Sequence, residues 1–335
     1  MRTSIGRLSK LVDADAKKLG VANSRMRRWV AATVFFQVLN NAVAAKKLLG
    51  YAVKGGFAME LRLKGRARAS QDIDLVLVLE GEDVVELLRQ VLETEWCGFT
   101  FQIKDVEARE HVHRVALQVR YQRGNWCTLL IDLGSAVNAI TENVEAFDLS
   151  PMGFDATDMV ACLSREHQMA ELIHAVTDPD ENARYRNLID IILIEELGFD
   201  LETLRSKVED LFLARNKHQW PPNFQLPDEW VGPLQAILAE LQMADTPQRV
   251  AARLTALIAR IVGVTPNMNY QYRFLILSAQ GRIPTLMENA VANDEAYSVF
   301  QRMTETEGWR VVTVLQYPQT QANRAILVVL EKELS

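Results

Sequence analysis

Apolar residues recur at helical spacing through residues 22–50, from Met26 through Val30, Val34, Val38 and Val43, and Asn23 or Ser24 stands where a capping side chain is needed. A helix is expected there, followed by a turn at Lys54-Gly55-Gly56. Phe57 to Leu63 then leads through a basic, small-residue loop, Lys64-Gly65-Arg66-Ala67-Arg68-Ala69-Ser70. The loop enters Ile73-Asp74-Leu75-Val76-Leu77-Val78-Leu79, a β-rich apolar run that marks a buried strand. A helix over 82–95 follows, then strands near 99–106, 112–121 and 126–133, the last two separated by a turn around Gly124-Asn125. This order of elements describes an α/β domain built on a mixed sheet.

From about residue 155 the period changes to that of helices. Met169, Leu172, Ile173 and Val176 share one face, and a second helix runs over 184–196. Helices at 201–215 and 229–262 extend the region, broken by Trp220-Pro221-Pro222 and again near Thr246-Pro247. Residues 268–335 return to strands, at 271–278, 309–316 and 324–331, with a helix over 288–306 between the first two. The expected fold class is α/β, in three domains: a sheet domain with N-terminal helices over 1–150, a helical domain over 151–265 and a small α/β appendage over 266–335. A chain of 335 residues exceeds what one core usually supports.

With 49% hydrophobic and 24% charged residues and no biased tract, the chain is neither disordered nor fibrous. Residues 29–50 are the most apolar early stretch, but Gln37, Asn40, Asn41 and two lysines make them too polar to span a bilayer. The N-terminus shows no signal-peptide pattern, so a cytoplasmic protein without membrane contact is expected. Cys97, Cys127 and Cys162 have no CxxC spacing and are expected to be packed thiols rather than a disulfide framework or a zinc cage. The net charge of -6 conceals an asymmetry: residues 1–70 hold 15 of the 37 Lys and Arg, against Asp13, Asp15 and Glu60 alone among the acids. Such a basic segment attracts a polyanion such as nucleic acid or a nucleoside triphosphate, or simply forms a solvated helix face.

The chemistry concentrates in Gly55-Gly56 and Ser70-x-Asp72-Ile73-Asp74. Residues i and i+2 of a strand share a face, so Asp72 and Asp74 stand side by side at the head of an apolar run. Two carboxylates so placed repel one another, and bound Mg²⁺ offsets the cost of keeping both ionised. Asp132 is a third acid, alone among apolar residues in Leu129-Leu130-Ile131-Asp132-Leu133 on a neighbouring candidate strand. Three acids from two strands form a cradle for two metal ions, which activate an attacking oxygen and neutralise a triphosphate as pyrophosphate leaves in line. Gly55 and Gly56 allow backbone amides to approach phosphates, and Ser70 offers a hydrogen bond to them.

The run Lys54-Gly55-Gly56-Phe57-Ala58 to Leu61-Arg62, followed by Arg66-x-Arg68-x-Ser70-x-Asp72-Ile73-Asp74-Leu75, resembles the first motif of the AbiEii/AbiGii-type toxin nucleotidyltransferases, over roughly residues 25–200. That family includes the MenT toxins and belongs to the polymerase-β superfamily. The resemblance implies a polymerase-β-type nucleotidyltransferase domain that uses nucleoside triphosphates, acts on the 3′ end of tRNA and is restrained by an antitoxin protein. It also implies Asp72, Asp74 and Asp132 as metal ligands, with Gly55, Gly56 and Ser70 facing the phosphates. In its helical part the family carries Ala-Glu-Lys and then Arg-x-Lys-Asp-Leu-x-Asp; here stand Ala170-Glu171-Leu172 and Arg184-Tyr185-Arg186-Asn187-Leu188-Ile189-Asp190. Asp190 matches the catalytic aspartate, Leu172 and Asn187 depart from the pattern, and Arg184, Arg186 or Lys54 is left to supply the missing positive charge.

The sequence leaves other functions open: a nucleotidyltransferase whose acceptor is a protein hydroxyl or a small molecule, and a degenerate transferase that serves as a nucleotide-binding partner. Asp190 also fits a surface pair with Arg186 at i, i+4. His111 and His113 share a strand face, and His167 and His174 lie seven apart on a helix; with no third ligand at zinc spacing, all are expected to be structural. The aromatic residues of 29–101 are expected in the core. No P-loop, nucleophile elbow or Cys/His nucleophile pattern is present.

Overall fold

In a computed structural model the chain is described over residues 4–333 apart from 110–111, 138, 157–158, 181–183, 265–269, 279–284, 288–302, 305–306 and 318–324. It divides into two compact units, Met1–Gln168 and Met169–Ser335. In the first, helices α1 (Ile5–Leu19) and α2 (Asn23–Ala44) precede strand β1 (Gly50–Lys54), helix α3 (Gly55–Leu63), strand β2 (Ile73–Val78) and helix α4 (Val84–Val91). Strands β3 (Phe99–Ala108), β4 (His113–Tyr121), β5 (Gly124–Ala136), β6 (Thr141–Glu145) and β7 (Met159–Leu163) complete it. Seven strands form one mixed sheet in the order β3-β4-β5-β2-β1-β7-β6, with β2 parallel to β5, β1 parallel to β7, and the other neighbours antiparallel.

Alternation along the central strands decides which face meets the core. Ile73, Leu75 and Leu77 of β2, Ile131 and Leu133 of β5, and Val115, Leu117 and Val119 of β4 are buried, while the residues between them are less covered. Helix α2 is apolar nearly all round, and Trp29, Val30, Val34, Phe35, Phe36 and Leu39 bury themselves in this core. Trp29 stacks on Phe147 at 4.2 Å between ring centroids, and Phe35 meets Phe101 at 5.9 Å. These aromatic residues are core, as expected from the sequence.

The sequence-based elements begin only at residue 22, so they omit α1, and they differ from this in three further places. The helix expected over 22–50 ends at Ala44, and Lys46 turns the chain with a φ of 56° before the short strand β1 begins. Gly55-Gly56 is not a free turn but the first turn of α3. Residues 141–145 and 159–163 are strands that extend the sheet beyond the first central pair.

The second unit contains helices α5 (Arg165–Thr177, which begins just before the division), α6 (Tyr185–Leu197), α7 (Leu201–Arg215), α8 (Asp228–Glu240) and α9 (Pro247–Ile261). Glu195 of α6 joins α9 by ion pairs of 3.0 Å to Arg253 and 3.0 Å to Arg260. An antiparallel sheet of β8 (Tyr270–Ser278), β9 (Thr285–Met287), β10 (Arg310–Tyr317) and β11 (Ala325–Glu333) follows, in the order β10-β11-β8-β9. The helix expected over 288–306 falls almost wholly outside the described residues. No helix among the described residues is long and apolar enough to cross a membrane.

Candidate active site

Strand register brings charges that are distant in sequence into one row across the sheet. Lys54 of β1 stands opposite Asp74 of β2, Asp74 opposite Asp132 of β5, and Asp132 opposite Arg114 of β4. Directly opposed residues share a face, so the row reads cation, acid, acid, cation on the less covered side of the sheet. Asp72, in the bend just before β2, adds a third carboxylate.

Arg114 binds two of these acids. Its Nε donates to Asp132 Oδ1 at 2.7 Å, and its Nη2 donates to Asp132 Oδ2 at 2.6 Å and to Asp72 Oδ2 at 2.8 Å. Those hydrogen bonds, first of all to Asp132, hold the guanidinium still more firmly protonated than a free arginine. With side-chain exposures of 31% for Asp72 and 16% for Asp132, both acids remain open enough to meet a ligand. Sequence reasoning missed Arg114, because only the β4–β5 register places it opposite Asp132.

The start of α3 abuts the same acids. Gly55 has a φ of 62°, and a Cβ built there would lie 2.0 Å from Asp74 Oδ2, so no side chain fits between helix and carboxylate. At Gly56 a Cβ would meet Ser70 Oγ at 2.8 Å and Arg68 Nη2 at 3.2 Å. The N-cap residue Lys54 makes no side-chain bond to α3, and the positive end of the helix faces the Asp74 carboxylate.

A buried carboxylate fixes the loop that delivers the acids. Glu60 of α3 is 1% exposed and accepts from Ser70 N at 2.5 Å, Trp29 Nε1 at 2.5 Å and Arg25 Nε at 2.8 Å, while Arg25 Nη2 also binds Ala67 O at 2.6 Å. Ser70 donates its hydroxyl hydrogen to Asp72 O at 3.0 Å. The other end of α3 is tied down by Arg62, which binds Glu142, Leu163 O and Gln168. The Gln168 amide in turn donates to Gly55 O at 3.0 Å.

Of the residues singled out in the sequence, the first unit thus gathers Lys54, Gly55, Gly56, Ser70, Asp72, Asp74 and Asp132. Asp190 and Arg186 lie on α6 of the second unit, where Asp190 is 1% exposed and Arg186 sits 5.5 Å from the Tyr185 ring. Leu172 is buried, consistent with its place on the apolar stripe of α5.

A core-backed sheet carrying a file of acids beside an open helix start is the architecture of a nucleotidyltransferase, and the family model of such enzymes matches residues 37–275, most of the chain. The chain belongs to the nucleotidyl transferase AbiEii toxin family of type IV toxin–antitoxin systems. No curated protein matches it. Among solved structures it is similar to MenT4, a nucleotidyltransferase toxin from Mycobacterium tuberculosis H37Rv, at 16% identity over 79% of this chain and 100% of that one, with a TM-score of 0.46. It is also similar to an antigenic nucleotidyltransferase-like protein from Paracoccidioides brasiliensis, at 15% identity over 55% and 88% of the two chains and a TM-score of 0.37. A third is the antibiotic-resistance factor ANT(2'')-Ia, at 19% identity over 56% and 94%, with a TM-score of 0.32.

Proposed function

We propose that this toxin-family nucleotidyltransferase is Mg²⁺-dependent, moves a nucleotide from a nucleoside triphosphate to RNA at the 3′ end of tRNA, and is restrained by a separate antitoxin protein. The observation that carries the reading is the row Arg114-Asp132-Asp74-Lys54 with Asp72 beside it. Asp72, Asp74 and Asp132 offer only carboxylate oxygens, the donors that hard cations such as Mg²⁺ take. The Arg114 guanidinium already bridges Asp72 and Asp132, so a cation suits the cradle. Bound Mg²⁺ supplies the charge that neutralises the triphosphate and sharpens the attacking oxygen.

The rest is work for the chain's own residues. The N-terminal end of α3 receives a phosphate oxygen, and Gly55 and Gly56 let it come close. Lys54 and Arg68 add positive charge next to those amides. Asp132 takes the proton of the acceptor hydroxyl, while Ser70, bound to Asp72 O, holds the acidic turn in position. Asp190 and Arg186 serve the nucleotide, with arginine charge replacing the lysine whose place Leu172 occupies. The basic residues of 1–70 favour a polyanionic acceptor over a neutral one.

The test incubates the protein with Mg²⁺, total tRNA and each triphosphate labelled in turn at the α- or γ-phosphate. The expected result is α-label on tRNA and γ-label released as pyrophosphate. Label on protein or on a small acceptor would refute the tRNA assignment, and triphosphate binding without any pyrophosphate would refute the enzyme reading.

A further inference from the structure

In the second unit, an imidazole and a carboxylate at the end of α5 converge with a second imidazole some forty residues further on. The ligating atoms of His174, Asp178 and His218 all lie within 4.8 Å of one another. His174 is 2% exposed and Asp178 6%, and Phe212 lies 4.8 Å from each imidazole ring. The second observation is a pair of buried atoms without hydrogen-bond partners, His174 Nε2 and His218 Nδ1. A buried polar atom left unpaired is costly unless something occupies it.

We propose that His174, Asp178 and His218 form a binding site for a borderline divalent cation of the zinc class, separate from the carboxylate row of the first unit. Two imidazoles with one carboxylate are the donors such ions prefer, whereas Mg²⁺ takes oxygen ligands. Thr177 fixes the His218 tautomer: its hydroxyl donates to Ile173 O at 2.8 Å, so it accepts from His218 Nε2 at 2.9 Å and leaves Nδ1 with its lone pair free. Asp178 Oδ1 accepts from the Asp180 amide at 3.1 Å, a bond that favours the ionised carboxylate.

Two cations stand at the rim. Arg215 Nη1 lies 3.4 Å from His174 Nδ1 and also pairs with Glu171 at 3.7 Å; Lys217 Nζ lies 3.5 Å from Asp178 Oδ2. Both side chains are substantially exposed, at 38% and 57%, and can swing out as a metal enters. The proton of His174 then moves from Nε2 to Nδ1. Donors of a tetrahedral site stand about 3.3 Å apart, so the three side chains close inward by rotation as the ion binds. The ion ties the end of α5, through His174 and Asp178, to the segment after α7 that carries His218.

The test uses the full chain, stripped with a chelator and titrated with Zn²⁺ alone, then with Co²⁺ as a spectroscopic probe. The expected result is one tightly held zinc per chain, visible cobalt bands of a four-coordinate nitrogen–oxygen site, and a zinc-dependent rise in melting temperature. The Asp72→Asn, Asp132→Asn double variant retains all three. His218→Gln weakens zinc at least about tenfold and loses the cobalt bands, with the circular dichroism of the metal-free chain unchanged. Zinc binding that survives His218→Gln, or that vanishes with the Asp72 and Asp132 changes, overturns the proposal. Should His218→Gln fail to fold, absence of cobalt bands from the wild-type chain overturns it by itself.

Discussion

Gly55 is the residue that the site tolerates least in any other form. A methyl group there would lie 2.0 Å from Asp74 Oδ2 on a backbone with φ 62°, so Gly55→Ala must displace the carboxylate and strain the turn. The expected outcome is a loss of transfer of at least about a hundredfold, with a stability cost of only about 1–2 kcal/mol, measured by label transfer beside urea unfolding. Arg114 behaves in the opposite sense toward the metal. It neutralises Asp72 and Asp132, so Arg114→Ala leaves three acids facing one another and makes the metal-free protein depend more on Mg²⁺. The rise in melting temperature on adding Mg²⁺ should be larger in the variant than in the wild type, and equal rises would argue that the acids do not bind the ion.

At the scale of elements, the loop between α3 and β2 is held by one carboxylate. Glu60→Ala strips acceptors from Arg25, Trp29 and the Ser70 amide at once, leaving buried donors and an unpaired charge. We expect destabilisation of about 3–5 kcal/mol, read by denaturant unfolding, and activity lost along with loop order; near-wild-type stability would show that Arg25 and Ser70 find other partners. The acids themselves were legible, because an Asp-x-Asp pair heading an apolar run and a lone Asp132 in a second run stand out from their surroundings. Strand β1 was not, since Tyr51-Ala52-Val53 is a short apolar run that continues the helical pattern before it, and Met159–Leu163 runs in the same way into the helical pattern that follows it. Helix α1 was legible too, since Ile5, Leu8, Leu11, Val12 and Ala16 recur at helical spacing behind a Ser4 cap. Arg114 and the His174, Asp178 and His218 cluster were hidden for another reason: both depend on contacts between segments, which spacing along one chain does not encode.

For the molecule as a whole, buried thiols give stability a dependence on alkaline pH. Burial pushes Cys127 and Cys162 up to about 12 from an ordinary 9.0, so the unfolded chain surrenders these protons more readily than the folded one. Their contribution is therefore fully present below pH 9.0 and declines as pH rises toward 12. At pH 8, a thiol reagent should modify exposed Cys97 first, half-buried Cys127 more slowly, and buried Cys162 only on unfolding. The central claim is that the sheet's row of acids performs nucleotidyl transfer. It is tested most directly by pyrophosphate release from a nucleoside triphosphate with Mg²⁺ and tRNA, for the wild type beside Asp72→Asn and Asp74→Asn. The account predicts a fall of at least about a hundredfold in both variants with the circular dichroism spectrum unchanged; undiminished release from either folded variant would contradict it.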